Sequence, residues 1–411
     1  MGLKECGKGH MYDDSQYKKC PYCQQTKAKR DYPHLFALFG KKTPETESPS
    51  LALYAGPPVE PTDLEPTEKV KVPPVPNECL YAGPPVPNKP PIDLSGLGPM
   101  MPPAETPNAL KTESLLANGE YRAEWVIEQD GQSFIYRGTD MLSQSRVTIY
   151  EYLPKGRAYR DKGVDFLQWS SGKEPSGWQD TKRYLAEMAA KIMRIERVPG
   201  IAWVRDVFFQ NNTTYVVTDF ANGETLNKRI AKSGPLDAKA CFQMLCPLMD
   251  ALESVHKNRL LHMDIEPENI LIDGRGSACL LNLGIPDSSY PVHFWPWKQD
   301  YDSSLPRWSP FAATEMLMES SQQLKFGPWT DVYSMCATFF YAVTGTAPVN
   351  AVERLYKKYM QADIPDENAK GIIPPKIYAV LKRGLDPDYK DRILSMKALR
   401  EELGAAIQSS E

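Results

Sequence analysis

Two groups of residues in this 411-residue chain have the types and spacing for chemistry. The first opens the chain and reads Cys6-x3-His10-x9-Cys20-x2-Cys23, within "CGKGHMYDDSQYKKCPYC". Three thiols and an imidazole are donors that zinc takes in a tetrahedron, and the tight "CPYC" turn aims two thiolates at one point. Four protein donors close the shell, so the expected metal is a structural zinc whose binding folds a module with too little core of its own. The competing reading of the same thiols is a redox pair with His10 incidental. The second group is "LLHMDIEPENILI", residues 260–272, which spaces Asp264 and Asn269 along one loop. A short hairpin further on, "LLNLGIP" carries Asn282 and no carboxylate.

Composition narrows what these groups can belong to. With 48 Lys+Arg against 52 Asp+Glu the net charge is -4, which gives no electrostatic reason to expect nucleic acid or an anionic membrane as partner. No run approaches 18 apolar residues, and "MGLKECGKGH" lacks the apolar stretch of a secretory signal, so the expected location is the cytoplasm. In that reducing compartment the eight Cys read as a metal site plus core thiols, not disulfides.

Three parts follow from the same pass: a knuckle over residues 1–26, a Pro-rich linker over 27–114 and a globular domain over 115–405. Residues 41–110 hold 18 of the 37 Pro with almost no helical or strand period, the mark of an extended, semi-rigid segment. Inside it "LYAGPPVEP" from Leu53 is echoed by "LYAGPPVPN" from Leu80. The pair is either a duplicated spacer or a tandem docking motif, in which a Tyr beside a polyproline-type turn fills an aromatic groove and two copies add avidity.

The elements that must position Asp264, Asn269 and Asn282 can be read from periodicity. Short strand-like runs come first: "YRAEWVIEQ", "SFIYRGTD", "RVTIYEYL" and, after an expected helix, "IAWVRDVFFQ" and "TTYVVTDF". Helices dominate the rest. The clearest, "TDVYSMCATFFYAVTG", repeats apolar residues at helical spacing from Val332 to Val343, with Asp331 near its start and Gly345 at its stop. Apolar almost all round, it should form the spine of a helical lobe.

In order and spacing, "LLHMDIEPENILI", "ACLLNLG", "PFAATEM", "GPWTDVYSMCATFFYAVTG" and "DPDYKDRILSM" resemble the catalytic loop, metal-binding motif, activation-segment end and closing helices of serine/threonine protein kinases. The likeness covers nearly 290 residues and is closest in style to bacterial kinases that begin with a zinc ribbon and a Pro-rich linker. Residues 1–26 resemble the zinc-ribbon heads of bacterial multidomain proteins, whose role is interaction. The resemblance implies an α+β, bilobal protein-kinase-like fold, with a small β-rich N-lobe and a larger helical C-lobe, preceded by the knuckle and the linker.

Carried over position by position, the family's roles split. Asp264 matches the carboxylate that accepts the substrate hydroxyl's proton, and Asn269 matches the metal-binding Asn. Glu315 and Arg392 match an ion pair between the activation segment and the closing helices, and Asp331 matches the residue that holds the catalytic loop's backbone. The other groups that hold phosphate and metal are gone. Glu128, Asp130 and Ser133 stand at the three glycine positions of the phosphate loop, where side chains block backbone approach and carboxylates repel phosphates. Tyr150 replaces the strand Lys, leaving Glu187 without its cation; Asn282 replaces the magnesium-binding Asp; and Met263 replaces the Arg of the catalytic loop.

The expectation is therefore a pseudokinase, a protein-interaction or regulatory scaffold that engages other proteins through the knuckle, the repeats and the kinase-like domain. The alternative is a weakly active ATP-dependent serine/threonine kinase that still uses Asp264, with Glu128 or Asp130 recruited for metal. The resemblance implies ATP and magnesium as cofactors; the replaced positions argue against both. "VVTDFANGETL" matches the family's hinge, with Thr218 as gatekeeper and the backbone of Asp219 to Ala221 facing an adenine, so nucleotide binding without metal stays open. Trp295, Trp297 and Trp308 either pack the activation segment or form a partner surface.

Overall fold

The computed structural model describes residues 106–129, 133–153, 158–161, 163–174, 178–284, 309–317, 325–360, 369 and 371–410, together with two short strands near the start, β1 (Leu3–Glu5) and β2 (Met11–Asp13), which pair antiparallel. The expected zinc ligands Cys6, His10, Cys20 and Cys23, the two "LYAGPPV" repeats, Asp130 and the three Trp of the activation segment lie outside the described residues.

Alternating side chains build the N-lobe. β3 (Ser114–Leu116), β4 (Tyr121–Gln129), β5 (Ser133–Asp140), β6 (Ser145–Tyr152), β9 (Val204–Gln210) and β10 (Thr213–Asp219) form a six-stranded antiparallel sheet in the order β3-β4-β5-β6-β10-β9. Period-two alternation assigns its faces. On β6, Val147 and Ile149 enter one core with Phe134, Tyr136 and Tyr215, whereas Tyr150 enters the other with Val207 and Val216. That second face is packed against α1 (Trp178–Ile192) and runs on into the core of the C-lobe.

The first face is covered by parts of the chain that sequence periodicity did not reveal. A hairpin of β7 (Ala158–Arg160) and β8 (Leu167–Trp169) sits between β6 and α1, and Leu110, in the stretch read as linker, is fully buried there. A buried polar cluster ties the layer down. Glu151 accepts hydrogen bonds from Tyr136 (2.7 Å), Tyr215 and the Arg160 guanidinium, and Arg160 also donates to the Asp165 carbonyl at 2.9 Å. The Tyr136 hydroxyl in turn accepts the Leu110 amide at 3.0 Å. Every charge taken out of water here has a partner, the condition under which such burial is tolerated.

The C-lobe is helical: α2 (Leu226–Ser233), α3 (Ala238–Lys257), α4 (Thr314–Leu317), α5 (Pro328–Thr344), α6 (Ala351–Tyr359), α7 (Pro375–Gly384) and α8 (Met396–Gln408). Helix α5 is buried at nearly every position, as its apolar circumference requires, and Gly345 ends it in the left-handed conformation (φ 75°). A small sheet of β11 (Glu224–Thr225), β12 (Ile270–Ile272) and β13 (Ala278–Leu280) carries the loop segments that face the N-lobe. Glu315 and Arg392 meet as expected, through a two-pronged pair of 2.8 and 3.3 Å in which both side chains are buried. Among the described residues no helix is long and apolar enough to cross a membrane.

Candidate functional site

The loop between α3 and β12 is held from beneath by α5. The buried Asp331 carboxylate accepts the amides of His262 (2.8 Å) and Met263 (2.7 Å) and the His256 Nε2 proton (2.7 Å). Burial opposes the charge of Asp331, but these donors outweigh it and hold its carboxyl below the usual range. Met263 takes a left-handed backbone (φ 65°), a conformation that costs a non-glycine residue about 1–2 kcal/mol and persists because its own amide and that of His262 are tied to one carboxylate.

His262 supports the loop from the other side. Its Nε2 is 2.8 Å from the Leu281 carbonyl, which can only accept, so the ring proton resides there and Nδ1 is left to accept the Asp264 amide at 3.3 Å. Burial drives its pKa down to about 4, and the neutral tautomer is the one this geometry uses. Asp264 thus sits 8 % exposed on a loop whose backbone is fixed at three successive residues.

Three of the sequence-selected residues then meet directly. The Tyr150 hydroxyl, on β6, donates to Asn282 Oδ1 at 2.9 Å; Asn282 Nδ2 donates to Asn269 Oδ1 at 2.9 Å; Asn269 Nδ2 donates to the Asp264 carbonyl at 3.1 Å. The positions read as the lost Lys, the lost Asp and the retained Asn form one relay of neutral groups, each donating to the next. Asn282 is left-handed (φ 68°), which Asn tolerates better than most residues because its short polar side chain bonds locally.

Other expected positions are not drawn in. Glu187 keeps its place on α1 but makes no ion pair among the described residues. Glu128 lies at an irregularity of the β4–β5 ladder and Ser133 at the start of β5. Among the described residues no three His, Cys, Asp or Glu side chains converge to hold a metal ion. At the hinge, the Asp219 amide donates to the Trp203 carbonyl at 2.9 Å and its carboxylate takes Arg205 and the Trp203 amide. The amide and carboxylate of Asp219 are therefore engaged within the protein, and the half-buried Phe220 and Ala221 lie just past the strand end.

Gly284 closes the site against α1. Its φ is +70°, and a Cβ there would stand 2.3 Å from Ile192 Cδ1 and 3.0 Å from Met188 Cγ. Ile192 is buried and has little room to retreat. Gly284→Ala should lose about 1–2 kcal/mol in urea unfolding through the left-handed backbone alone, and more if Ile192 is displaced. A loss below roughly 0.5 kcal/mol would show that the contact yields freely.

Sequence reasoning missed Arg160 and the Glu151 cluster, because a buried charge looks like a surface charge until its partners are placed. It missed the relay as well, since Tyr150 and Asn282 are 132 residues apart.

The family model described as the protein kinase domain matches residues 170–403. The chain is 26% identical over 207 residues to a probable serine/threonine-protein kinase of Clostridium perfringens, covering 49% of this chain and 28% of that one. To the serine/threonine-protein kinase PknA of a Nostoc strain it is 27% identical over 205 residues (49% and 35%), and to PrkC of Bacillus subtilis 26% over 172 (41% and 25%). These matches span about a quarter to a third of the length of each relative.

Proposed function

Because the chain belongs to the protein kinase family, we propose that its rebuilt cleft makes it a pseudokinase, a kinase fold that works by holding other proteins. The observation that carries this reading is the Tyr150–Asn282–Asn269 relay. Phosphoryl transfer asks a protein to hold phosphates, place metal ions and orient a hydroxyl. At the phosphate position stands a phenol, which provides no point charge. At the two metal positions stand carboxamides whose oxygens already accept hydrogen bonds from Tyr150 and Asn282. Magnesium seeks charged oxygens in a near-ideal octahedron and gives up its waters reluctantly. The residues present do not fit it.

Loss of one well-placed stabiliser of the transition state costs on the order of 100- to 1000-fold in rate. Losing both the Lys and the Asp leaves little to be measured even without additivity. The groups that hold the fold, Asp331, His262, Glu315 and Arg392, keep their contacts, as a binding module requires. On this reading the zinc knuckle and the two Tyr-Pro repeats extend the binding surface, with Cys6, His10, Cys20 and Cys23 holding a structural zinc.

One observation favours a second reading, a weak transferase that still uses Asp264: the loop carrying that carboxylate is fully braced. Purified full chain incubated with radiolabelled ATP, magnesium and a generic protein acceptor separates the two. The expected result is no label above the Asp264→Asn variant. Label that disappears in Asp264→Asn would replace the scaffold reading with the transferase.

A further inference from the structure

The relay crosses the molecule. Tyr150 belongs to the N-lobe sheet, Asn282 follows β13, and Asn269 lies between the catalytic loop and β12 in the C-lobe. From Asn269 the path continues to the Asp264 carbonyl and, through the backbone of that loop, to Asp331 on α5. A strand of one lobe is thus joined to the spine helix of the other by successive hydrogen bonds. All three side-chain links donate in the same sense, so each polarises the next. The setting is partly buried, with Tyr150 6 % exposed and the two Asn half-buried, so each bond is shielded more than at the surface.

We propose that Tyr150, Asn282 and Asn269 form a built-in latch that fixes the N-lobe sheet on the catalytic loop without nucleotide or metal, so that the domain presents one lobe arrangement constitutively. The inference deepens the non-catalytic reading and rests on it for its biological sense. Tyr150 is a positioning residue in this scheme. It does for the lobes what a bound ligand bridging them would otherwise do, and the same hydroxyl occupies the Asn282 oxygen that a metal would need. A binding surface that draws on both lobes would then be preformed, with no ordering step to lower its affinity.

Amide hydrogen exchange followed by mass spectrometry on the full chain tests this. Tyr150→Phe removes only the hydroxyl. It should quicken exchange about 3- to 10-fold in two places at once, the β6 peptide and the peptides spanning residues 269–284, the range expected from one net hydrogen bond. Tyr159→Phe, the same change at a partly exposed tyrosine bonded to Gln168, should alter neither. Asn282→Ala should match Tyr150→Phe in the β6 peptide, and the double variant should be no faster there than either single one. Magnesium and ATP should leave the wild-type pattern unchanged. Exchange that quickens only in β6, additive effects in the double variant, or protection of both segments by magnesium and ATP would overturn the latch. Label transfer in the assay above would instead overturn the non-catalytic reading while the exchange pattern stood, so the two failures are distinguishable.

Discussion

Arg392→Ala should destabilise the domain by about 3–5 kcal/mol, the usual result of removing one member of a buried ion pair. Arg392 is 3 % exposed and Glu315 1 %, and the guanidinium is used on every side. It forms the fork to Glu315, donates to the carbonyls of Trp329 (2.9 Å), Asp386 (2.8 Å) and Pro387 (3.3 Å), and lies 5.2 Å from the Tyr333 ring centroid. Among the described residues, truncation leaves the Glu315 carboxylate with the Thr330 hydroxyl as its hydrogen-bond donor, at 2.8 Å, and three carbonyls short of a donor. Arg392→Lys should recover little, because an ammonium on a flexible stem cannot serve a planar set of acceptors. Urea unfolding measures both. A loss under roughly 1 kcal/mol for Arg392→Ala would mean that the pair is not load-carrying and that water or a neighbour replaces it. The effect matters beyond stability, because Glu315 sits where the chain returns from the activation segment to the C-lobe, and the pair pins that end to α5 and the turn before α8.

Acidification should destabilise the domain through His262. Its folded pKa is depressed to about 4 by burial, against an ordinary value of 6.5. Above the ordinary value both folded and unfolded chains carry a neutral ring and the full stability is present. As pH falls below it, the unfolded chain binds a proton that the folded chain refuses, so stability drops until the folded ring also titrates near 4. Over that window the loss is about 3 kcal/mol. The groups facing the ring are the Asp331 carboxylate, which favours its protonation, the Leu281 carbonyl, which also does, and His256, which opposes it. Asp331 contributes in the other direction. Its folded carboxyl is held below the usual range, so its stabilisation survives through this window and disappears only at lower pH. Urea unfolding of the wild type and of His262→Gln across pH 4 to 7 isolates the histidine. The wild type should lose about 3 kcal/mol more than the variant on going down, and parallel curves would assign the acid sensitivity to other groups.

Much of the scaffold was legible because local rules decide it. "YRAEWVIEQ" and "SFIYRGTD" alternate with period two, and both form strands over the residues read for them. "TDVYSMCATFFYAVTG" has the helical period, an acidic first turn and a Gly stop, and it became α5 from Pro328 to Thr344. The strand read from Ile201 begins three residues later at Val204, because Ile201 bridges to Leu280 and Ala202 donates to the same residue, tying the lobes together instead of extending β9. Composition placed Leu110 in the linker. A Pro-rich neighbourhood says nothing about a single apolar residue that a distant sheet face can bury.

What the sequence determined by itself is a matter of residue identity in order: a kinase-like succession of motifs, a Tyr where a cation belongs, an Asn where a carboxylate belongs, and Glu128 and Ser133 where glycines belong. Identity alone left those replacements as a list of losses. Only the tertiary structure decided that two of these positions converge with the retained Asn269, the Tyr150 hydroxyl on Asn282 and Asn282 on Asn269. It also decided that the Asp219 amide faces Trp203 and that Glu151 gathers Tyr136, Tyr215 and Arg160 in the dark side of the sheet. The physical reason is common to all three. Periodicity encodes which face a side chain takes, a local property of a few residues, whereas a hydrogen bond is set by distance and direction between atoms of separate elements, here from 9 to 132 residues apart.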